Sequence, residues 1–469
     1  MKTILATLLT VLLLLPVSAF GEIQTVTHTV KQSFGGSQSP DDARIAAVAK
    51  AKREALELAG TYIESLTVVK NYQVDKDEIL ALSAGVLKAE VVSQENYHTK
   101  DAFGIDVVVK VVVDTSILEG RVKKLLQDRT HLEQLKDAQD KEKKLLQKVA
   151  KLEEENRKLT SKKQSTQELK KEFQEASKGL TAVDLFYQSV ALLANGKYTN
   201  PLKAIEFLNQ ALHIKPDFVG AHALRGSAHD DLGQYQRAIE DFNEAIRLKP
   251  NGAEVYVLRG IAYKGLGQYQ RAIEDYNEAI RLKPDDAEAF NNRGNAYTSL
   301  GKHQRAIEDY NQALQLQPDD AEAFSNRGVA HGKLDQYQKA INDYNQSIRL
   351  QPDLAEAYNN RGVAYDKLGQ HQKSIEDCTK AIRIKPDYAE AYYSRGIAYS
   401  HLSEYKDAIE NFNEAIRLKP DYARAYEIRG LSYLLLSRNT LEACRSLIRA
   451  CELGECKGYT MAKEGWFCQ

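Results

Sequence analysis

Proline sets the frame of this chain. Pro216, Pro250, Pro284, Pro318, Pro352, Pro386 and Pro420 stand at a fixed 34-residue spacing. Arg225, Arg259, Arg293, Arg327, Arg361, Arg395 and Arg429 repeat that step, each followed by a glycine, and so do the alanines Ala238, Ala272, Ala306 and Ala340. Such a period means stacked copies of one supersecondary unit, each burying its apolar face against its neighbours. It rules out a single closed core for the stretch from Leu185 to about Cys456.

The unit from Ala253 to Asp286 shows the physics. Tyr256, Gly260 and Tyr263 recur at helical spacing and make one face of a first helix. Leu266-Gly267-Gln268 breaks it, with Gly267 free to take the positive φ of a helix C-cap. A second helix is expected from about Gln270 to Leu282, with Ala272, Tyr276 and Ala279 on one face. Pro284 stops it, and Asp285 is placed to cap the next helix. Gly260, Ala272 and Ala279 are small where two helices must approach closely.

Counted from Ala253, an aromatic at 4, Gly at 8, Tyr at 11, Ala at 20, Tyr at 24, Ala at 27 and Pro at 32 resemble the tetratricopeptide repeat. The pattern departs from that family at position 4, where its frequent Trp is Tyr, Phe or His, and at position 7, where its Leu is Arg. The first unit carries about three extra residues around Lys197–Pro201, and the last, from Ala423, loses its proline. Seven full units and a degenerate eighth are expected over residues 182–439, with a C-terminal cap over 440–469.

Ahead of the repeats the chain changes character. Residues 1–21 read as a secretory signal, with Lys2 as the charged end, an apolar run from Ile4 to Pro16, and Val17-Ser18-Ala19 before the cut. Residues 22–118 read as a small α+β domain. Strands are expected at Ile23–Val30, Val68–Val74, Val86–Val92 and Gly104–Asp114, with an Ala-rich helix after Ser39 or Asp41 and a short helix at Asp77–Leu82. Its Ala-rich helix (Ala43 to Gly60) and Val-rich strand (Val107–Val113) resemble an N-terminal domain of bacterial envelope proteins such as the flagellar assembly T protein and small outer-membrane lipoproteins. His28 and His98 stand singly and read as surface residues. No nucleophile motif or phosphate loop is present, so no enzyme is expected.

Residues 119–178 hold 17 Lys/Arg and 12 Asp/Glu. Leu118, Val122, Leu125 and Leu132 set one heptad register, and Leu145, Val149, Leu152, Asn156 and Leu159 set another. A polar Asn156 in an aliphatic seam fixes register, so a parallel self-associating coiled-coil stalk is expected, making the chain a homo-oligomer. A short helix at Glu168–Ser177 would lead into the repeats.

The resemblance also implies a site. In the repeat family, positions 2, 5, 9 and 12 of each first helix line a concave groove for peptides. Carried over, they are Glu288, Asn291, Asn295 and Thr298; Glu322, Ser325, Val329 and Gly332; Glu356, Asn359, Val363 and Asp366; Glu390, Tyr393, Ile397 and Ser400. The arginine at position 7 lies three residues after one aromatic and four before another, so it stacks on its own helix and meets acidic residues of the second. No two histidines have zinc-ligand spacing on one helix face, so no metal or cofactor is expected.

Cys444, Cys451, Cys456 and Cys468 crowd the final 26 residues. In an exported chain that favours disulfides, the alternative being reduced thiols on a frayed tail. Cys444 and Cys451 lie two turns apart on one helix (expected from Leu441 to about Leu453), about 10.5 Å, too far to join. That leaves two pairings. If Lys457–Lys463 folds back antiparallel, Cys451 lies near Cys456 and Cys444 near Cys468, so the nested pairing is expected over one with Cys451–Cys468, clamping Trp466 and Phe467 over the end of the repeats. Cys378 reads as a buried free thiol.

The whole reads as mainly α: an α-solenoid of helix-hairpin repeats, preceded by a coiled-coil stalk and a small α+β domain. A net charge of −1 gives no field for nucleic acid. The function expected is an exported, non-enzymatic scaffold of the periplasm or cell envelope that binds a protein or peptide partner. The alternative is a self-associating structural envelope protein without a peptide ligand. No membrane-spanning segment is expected once the signal is removed.

Overall fold

A computed structural model describes residues 23–34, 39–69, 87–98, 103–114, 129–160, 167–194, 197–437, 440–465 and 468, with Ile79, Ala81, Ser83, Ala84 and Val122 besides. The signal expected at 1–21 lies outside the described residues, as do the side chains of Leu118, Leu125, Asn156, Leu159, Trp466 and Phe467. The chain divides into two compact units, Met1–Gly265 and Leu266–Gln469. Within each, helix hairpins stack in chain order, and the fold class is the helical solenoid with a small sheet domain ahead of it.

In the first unit β1 (Ile23–Phe34), α1 (Pro40–Val69), β2 (Lys88–His98) and β3 (Phe103–Asp114) form the α+β layer. The sheet order is β1-β3-β2, all antiparallel, with Val26 opposite Val111 and Val30 opposite Val107. Alternation decides which face is covered: Ile105, Val107, Val109, Val111 and Val113 are buried beneath Ala43, Ala47, Ala51 and Ala55 of α1. An alanine every fourth residue lets α1 lie close against the strand. Strand β2 slips register between Val91 and Ser93 and leaves Val92 exposed, as a bulge does. The strand expected at Val68–Val74 begins inside α1, which runs helical through Val69; residues 70–74 lie outside the described ones. His28, on β1, bonds Glu54 at 2.8 Å.

The charged segment departs from expectation. Helix α2 (Arg129–Thr160) is followed after a short link by α3 (Gln167–Val190), and the two pack as an antiparallel hairpin that also touches α1. Leu132, Leu135 and Ala138 join the core of the α+β layer, while Val149 and Leu152 are buried against Phe173, Ala176, Leu180 and Ala46. Of the seam expected to face a second copy, the described residues Val122, Leu132, Leu145, Val149 and Leu152 pack against their own chain instead. Periodicity shows that a helix needs an apolar partner, and a tethered partner wins because its local concentration is far higher than that of a free copy. The short helix expected at Glu168–Ser177 is the first half of α3, which continues into the first repeat.

Between α3 and α4 (Pro201–Ile214) the extra residues of the first unit form a two-residue ladder, β4 (Leu193–Ala194) with β5 (Lys197–Tyr198). Asn200 then caps α4 by accepting from the Lys203 amide. Helices α5 (Val219–Asp231), α6 (Tyr235–Leu248) and α7 (Ala253–Gly265) complete this unit. The second unit holds α8 (Tyr269–Leu282), then hairpins α9–α10 (Ala287–Ser299, His303–Leu316), α11–α12 (Ala321–Lys333, Tyr337–Leu350), α13–α14 (Ala355–Lys367, His371–Ile384) and α15–α16 (Ala389–His401, Tyr405–Leu418). The degenerate hairpin α17–α18 (Ala423–Ser437, Thr440–Glu452) and the short α19 (Lys457–Glu464) end it.

In the hairpins of Gly226, Gly294, Gly328 and Gly396 the first-helix glycine lies against a ring of the second helix. A β-carbon on Gly294 would sit 2.6 Å from the Tyr310 ring, and on Gly396 it would sit 2.7 Å from Phe412. Gly301 and Gly369 take φ +71° and +73° at the turn between helices; Asp335 and Ser403 hold the same left-handed position without glycine's freedom. The helix after Pro284 is capped by Asp286, which accepts from the Glu288 and Ala289 amides, rather than by Asp285. Asp286 is the residue immediately before the first helical turn, where a cap must stand.

Candidate functional site

Within the second unit, first helices of successive hairpins touch one another: α9 with α11, α11 with α13, α13 with α15, and α15 with α17. They therefore form the inner wall of the stack, and the stripe at positions 2, 5, 9 and 12 runs along that wall. The register of the wall is held by the arginine ladder. Arg293 donates to both carboxylate oxygens of Asp309 (2.9 and 2.6 Å) and to Asn277 of the preceding helix (2.7 Å). Arg327 repeats this with Asp343 and Asn311, and Arg361 with Asp377 and Asn345. Arg395 meets Asn411 and Thr379 instead. The guanidinium groups also lie over Phe290, Phe324 and Tyr358 at 5.4–5.5 Å. The ladder joins each first helix to its own partner and to the hairpin before it, a structural use of charge in fork geometry.

The stripe residues divide by what already holds them. Glu288 is exposed, and Val363 is 38% exposed. Val329, Ile397 and Ser400 are half-buried. Asn295 accepts from the Tyr310 hydroxyl at 2.7 Å, and the Thr298 hydroxyl lies 3.2 Å from it, so both polar groups serve the core aromatic of their own hairpin. Asn291 is buried and accepts from Asn326 of the next hairpin at 3.2 Å. Ser325, Asn359 and Asp366 are buried as well. Tyr393 leans against Phe412 and Tyr422, with ring centroids 5.9 and 4.9 Å away. Glu356 and Glu390 pair with Lys385 and Lys419 at the ends of their own second helices. Along the wall Val363 is exposed and Val329 and Ile397 are half-buried, the apolar points that keep access to solvent. The wall's polar positions are mostly engaged.

Asp366 has a feature that sequence spacing hides. Its Oδ1 lies 2.7 Å from Nδ1 of His371 and 2.9 Å from Nδ1 of His401. The two histidines are 30 residues apart because one opens α14 and the other closes the next first helix. Ligand spacing along one helix face passes over such a pair, whereas subtracting their 30-residue separation from the 34-residue period leaves a four-residue offset that brings them together.

At the C-terminus Cys444 meets Cys468 and Cys451 meets Cys456 at disulfide distance, with Cα separations of 5.5 and 3.9 Å. Cys468 is buried with Leu447 and Ala462. Cys378 is a buried free cysteine whose thiol burial pushes up to about 12, an inert thiol. Its small side chain faces Gly362, where neighbouring hairpins place a ring. Among the described residues no helix is long and apolar enough to cross a membrane.

Comparison with known proteins follows the periodicity. Residues 226–267, 265–301, 294–335 and 333–369 match a TPR repeat family model, and 355–388 and 389–422 match the tetratricopeptide repeat model. A crystal structure of MamA protein is 30% identical, spanning 37% of this chain and 94% of that one, with a TM-score of 0.33. MamA from Desulfovibrio magneticus RS-1 is 26% identical over 36% of this chain and 96% of that one, with a TM-score of 0.34. YrrB, described as a TPR protein with an unusual peptide-binding site, is 22% identical over 41% and 98%, with a TM-score of 0.35. No curated protein matches the chain.

Proposed function

Because this chain belongs to the tetratricopeptide repeat family, we propose that it is a non-enzymatic scaffold whose inner wall of first helices holds a segment of another protein. The observation that carries this reading is the contact between successive first helices, which aligns one stripe of side chains across four hairpins. Val363 and Ile397 supply the apolar points on which a partner's side chains seat, and the half-buried polar edge around them orients its main chain. The internal engagement of Asn291, Asn295 and Thr298 favours the alternative, a purely structural protein.

A photo-reactive amino acid at Val363, compared with one at exposed Lys380 on a second helix, separates the two readings in intact cells. The expected result is an adduct with a different protein from position 363 alone. Adding Ile397→Lys should abolish it while changing stability by less than about 1 kcal/mol, since the position is only half-buried. Adducts with copies of the same chain alone would leave the structural protein standing.

The same proposal places the protein outside the cytoplasm, in the periplasm or cell envelope. Its support is the expected signal at 1–21 together with four cysteines arranged in two close pairs. Non-reducing peptide mapping of protein from its native compartment should return Cys444–Cys468 and Cys451–Cys456, with Cys378 as the one alkylated thiol after unfolding. Five alkylated thiols, or an intact Lys2 at the N-terminal end of protein recovered from the cytoplasm, would remove the export reading.

A further inference from the structure

We propose that Asp366, His371 and His401 form a binding site for a divalent transition metal of the zinc type, bridging two neighbouring hairpins. These three side chains come from α13, α14 and α15, and their ligand atoms all lie within 4.8 Å of one another. One carboxylate oxygen stands between two imidazole nitrogens at 2.7 and 2.9 Å, and the rings are 4.9 Å apart at 47°.

The surroundings suit a metal that keeps an open position. The Asp366 side chain is 7% exposed, that of His371 23% and that of His401 49%, so one side of the cluster is protein and the other is solvent. Two imidazoles and one carboxylate are the donors that borderline divalent ions prefer, while calcium and magnesium want oxygen throughout. Bond lengths near 2.0–2.2 Å set ligand-to-ligand edges at about 3.3 Å in a tetrahedron. The two Oδ1–Nδ1 separations therefore need to open by about half an ångström, with the ring nitrogens settling at the same edge length, which rotation of the half-exposed His401 at the end of its helix allows. In the unloaded site each Nδ1 carries a proton to the carboxylate; on loading, the proton sits on Nε2 and the Nδ1 lone pair meets the ion.

The arrangement is not a by-product of the repeat. At the equivalent places of the two preceding junctions stand Thr298, His303 and Lys333, then Gly332, Tyr337 and Lys367, each with a lysine where His401 stands. The substitutions that make this junction different are the ones that make a ligand set. Nothing in the proposal requires a partner on the inner wall.

The test is calorimetric titration of the full, disulfide-bonded chain with zinc chloride after chelator treatment. One equivalent of zinc should bind, and the melting temperature should rise with zinc and fall back with chelator. His401→Ala and His401→Gln should each weaken binding by at least about 10–100-fold, the loss seen when even an outer partner of a metal ligand is removed. His401→Gln keeps a donor for Asp366, so a folding defect in the alanine variant does not decide the outcome. His303→Ala, at the counterpart of His371 two hairpins earlier, should bind as the parent does. No zinc uptake by the parent overturns the proposal, and so does uptake that survives both His401 variants or that is lost only with Cys378→Ser.

Discussion

Asp343→Ala is expected to destabilise the second unit by about 3 kcal/mol, the low end of what removing one partner of a buried ion pair costs. Arg327 donates to both oxygens of Asp343, at 3.0 and 2.6 Å, and to Asn311 at 2.7 Å. Asp343 is 8% exposed in its side chain and Arg327 21%, so the abandoned guanidinium keeps some water and the low end applies. Asp343→Asn should cost about 1 kcal/mol, because the chain already uses that pair: Arg395 donates to Asn411 at 2.7 Å. Urea melts of the single variants read the difference. Equal losses for the two substitutions would show that shape, and not the paired charge, holds the joint.

Tyr310→Ala is expected to be the most damaging single change in the second unit, at about 3–5 kcal/mol. The ring is 1% exposed, and its hydroxyl is held by Asn295 and Thr298. Burial also lifts its phenol well above the ordinary range, so it stays a neutral donor. Gly294→Ala should cost about 1–3 kcal/mol, because the new β-carbon meets that ring at 2.6 Å. The two effects are coupled through one contact, so in the Tyr310→Ala background Gly294→Ala should cost close to nothing. A double-mutant cycle with additive losses would mean that the glycine is small for some other reason. Tyr310→Ala should also free Asn295 and Thr298 toward solvent, joining core packing to the chemistry of the inner wall.

How much of this was legible differs from residue to residue. The prolines, Gly294 and Tyr310 state the hairpin outright, because a 34-residue period and a small residue facing a ring have one packing solution. The role of Arg327 was legible too, since aromatic neighbours and an acidic second helix leave a guanidinium few other uses. The destination of the α2 seam was not: Val149 and Leu152 specify an apolar partner, and only the tertiary fold says that Phe173 and Leu180 supply it. Asn291 and Asn359 sit at stripe positions, yet both are buried, because the neighbouring first helix approaches closely enough to cover that end of the stripe. Asp366 with His371 and His401 was missed because the contact crosses hairpins, where spacing along one helix carries no information.

The ladder has a consequence for how a chain like this changes over generations. Each regular joint of the second unit presents the same fork from one side and the same asparagine from the other, so a block of 34 residues duplicated or excised between two of them leaves matching faces at the new seam. Length is then a trait that recombination alters without redesign. The joint through α14, α15 and α16 breaks that interchangeability, with Thr379 in place of the asparagine and Asn411 in place of the aspartate, and α14 and α15 also carry two members of the Asp366 cluster. A copied or deleted block that cut through it would lose contacts that no other joint supplies, which makes it the point from which the order of the units is counted.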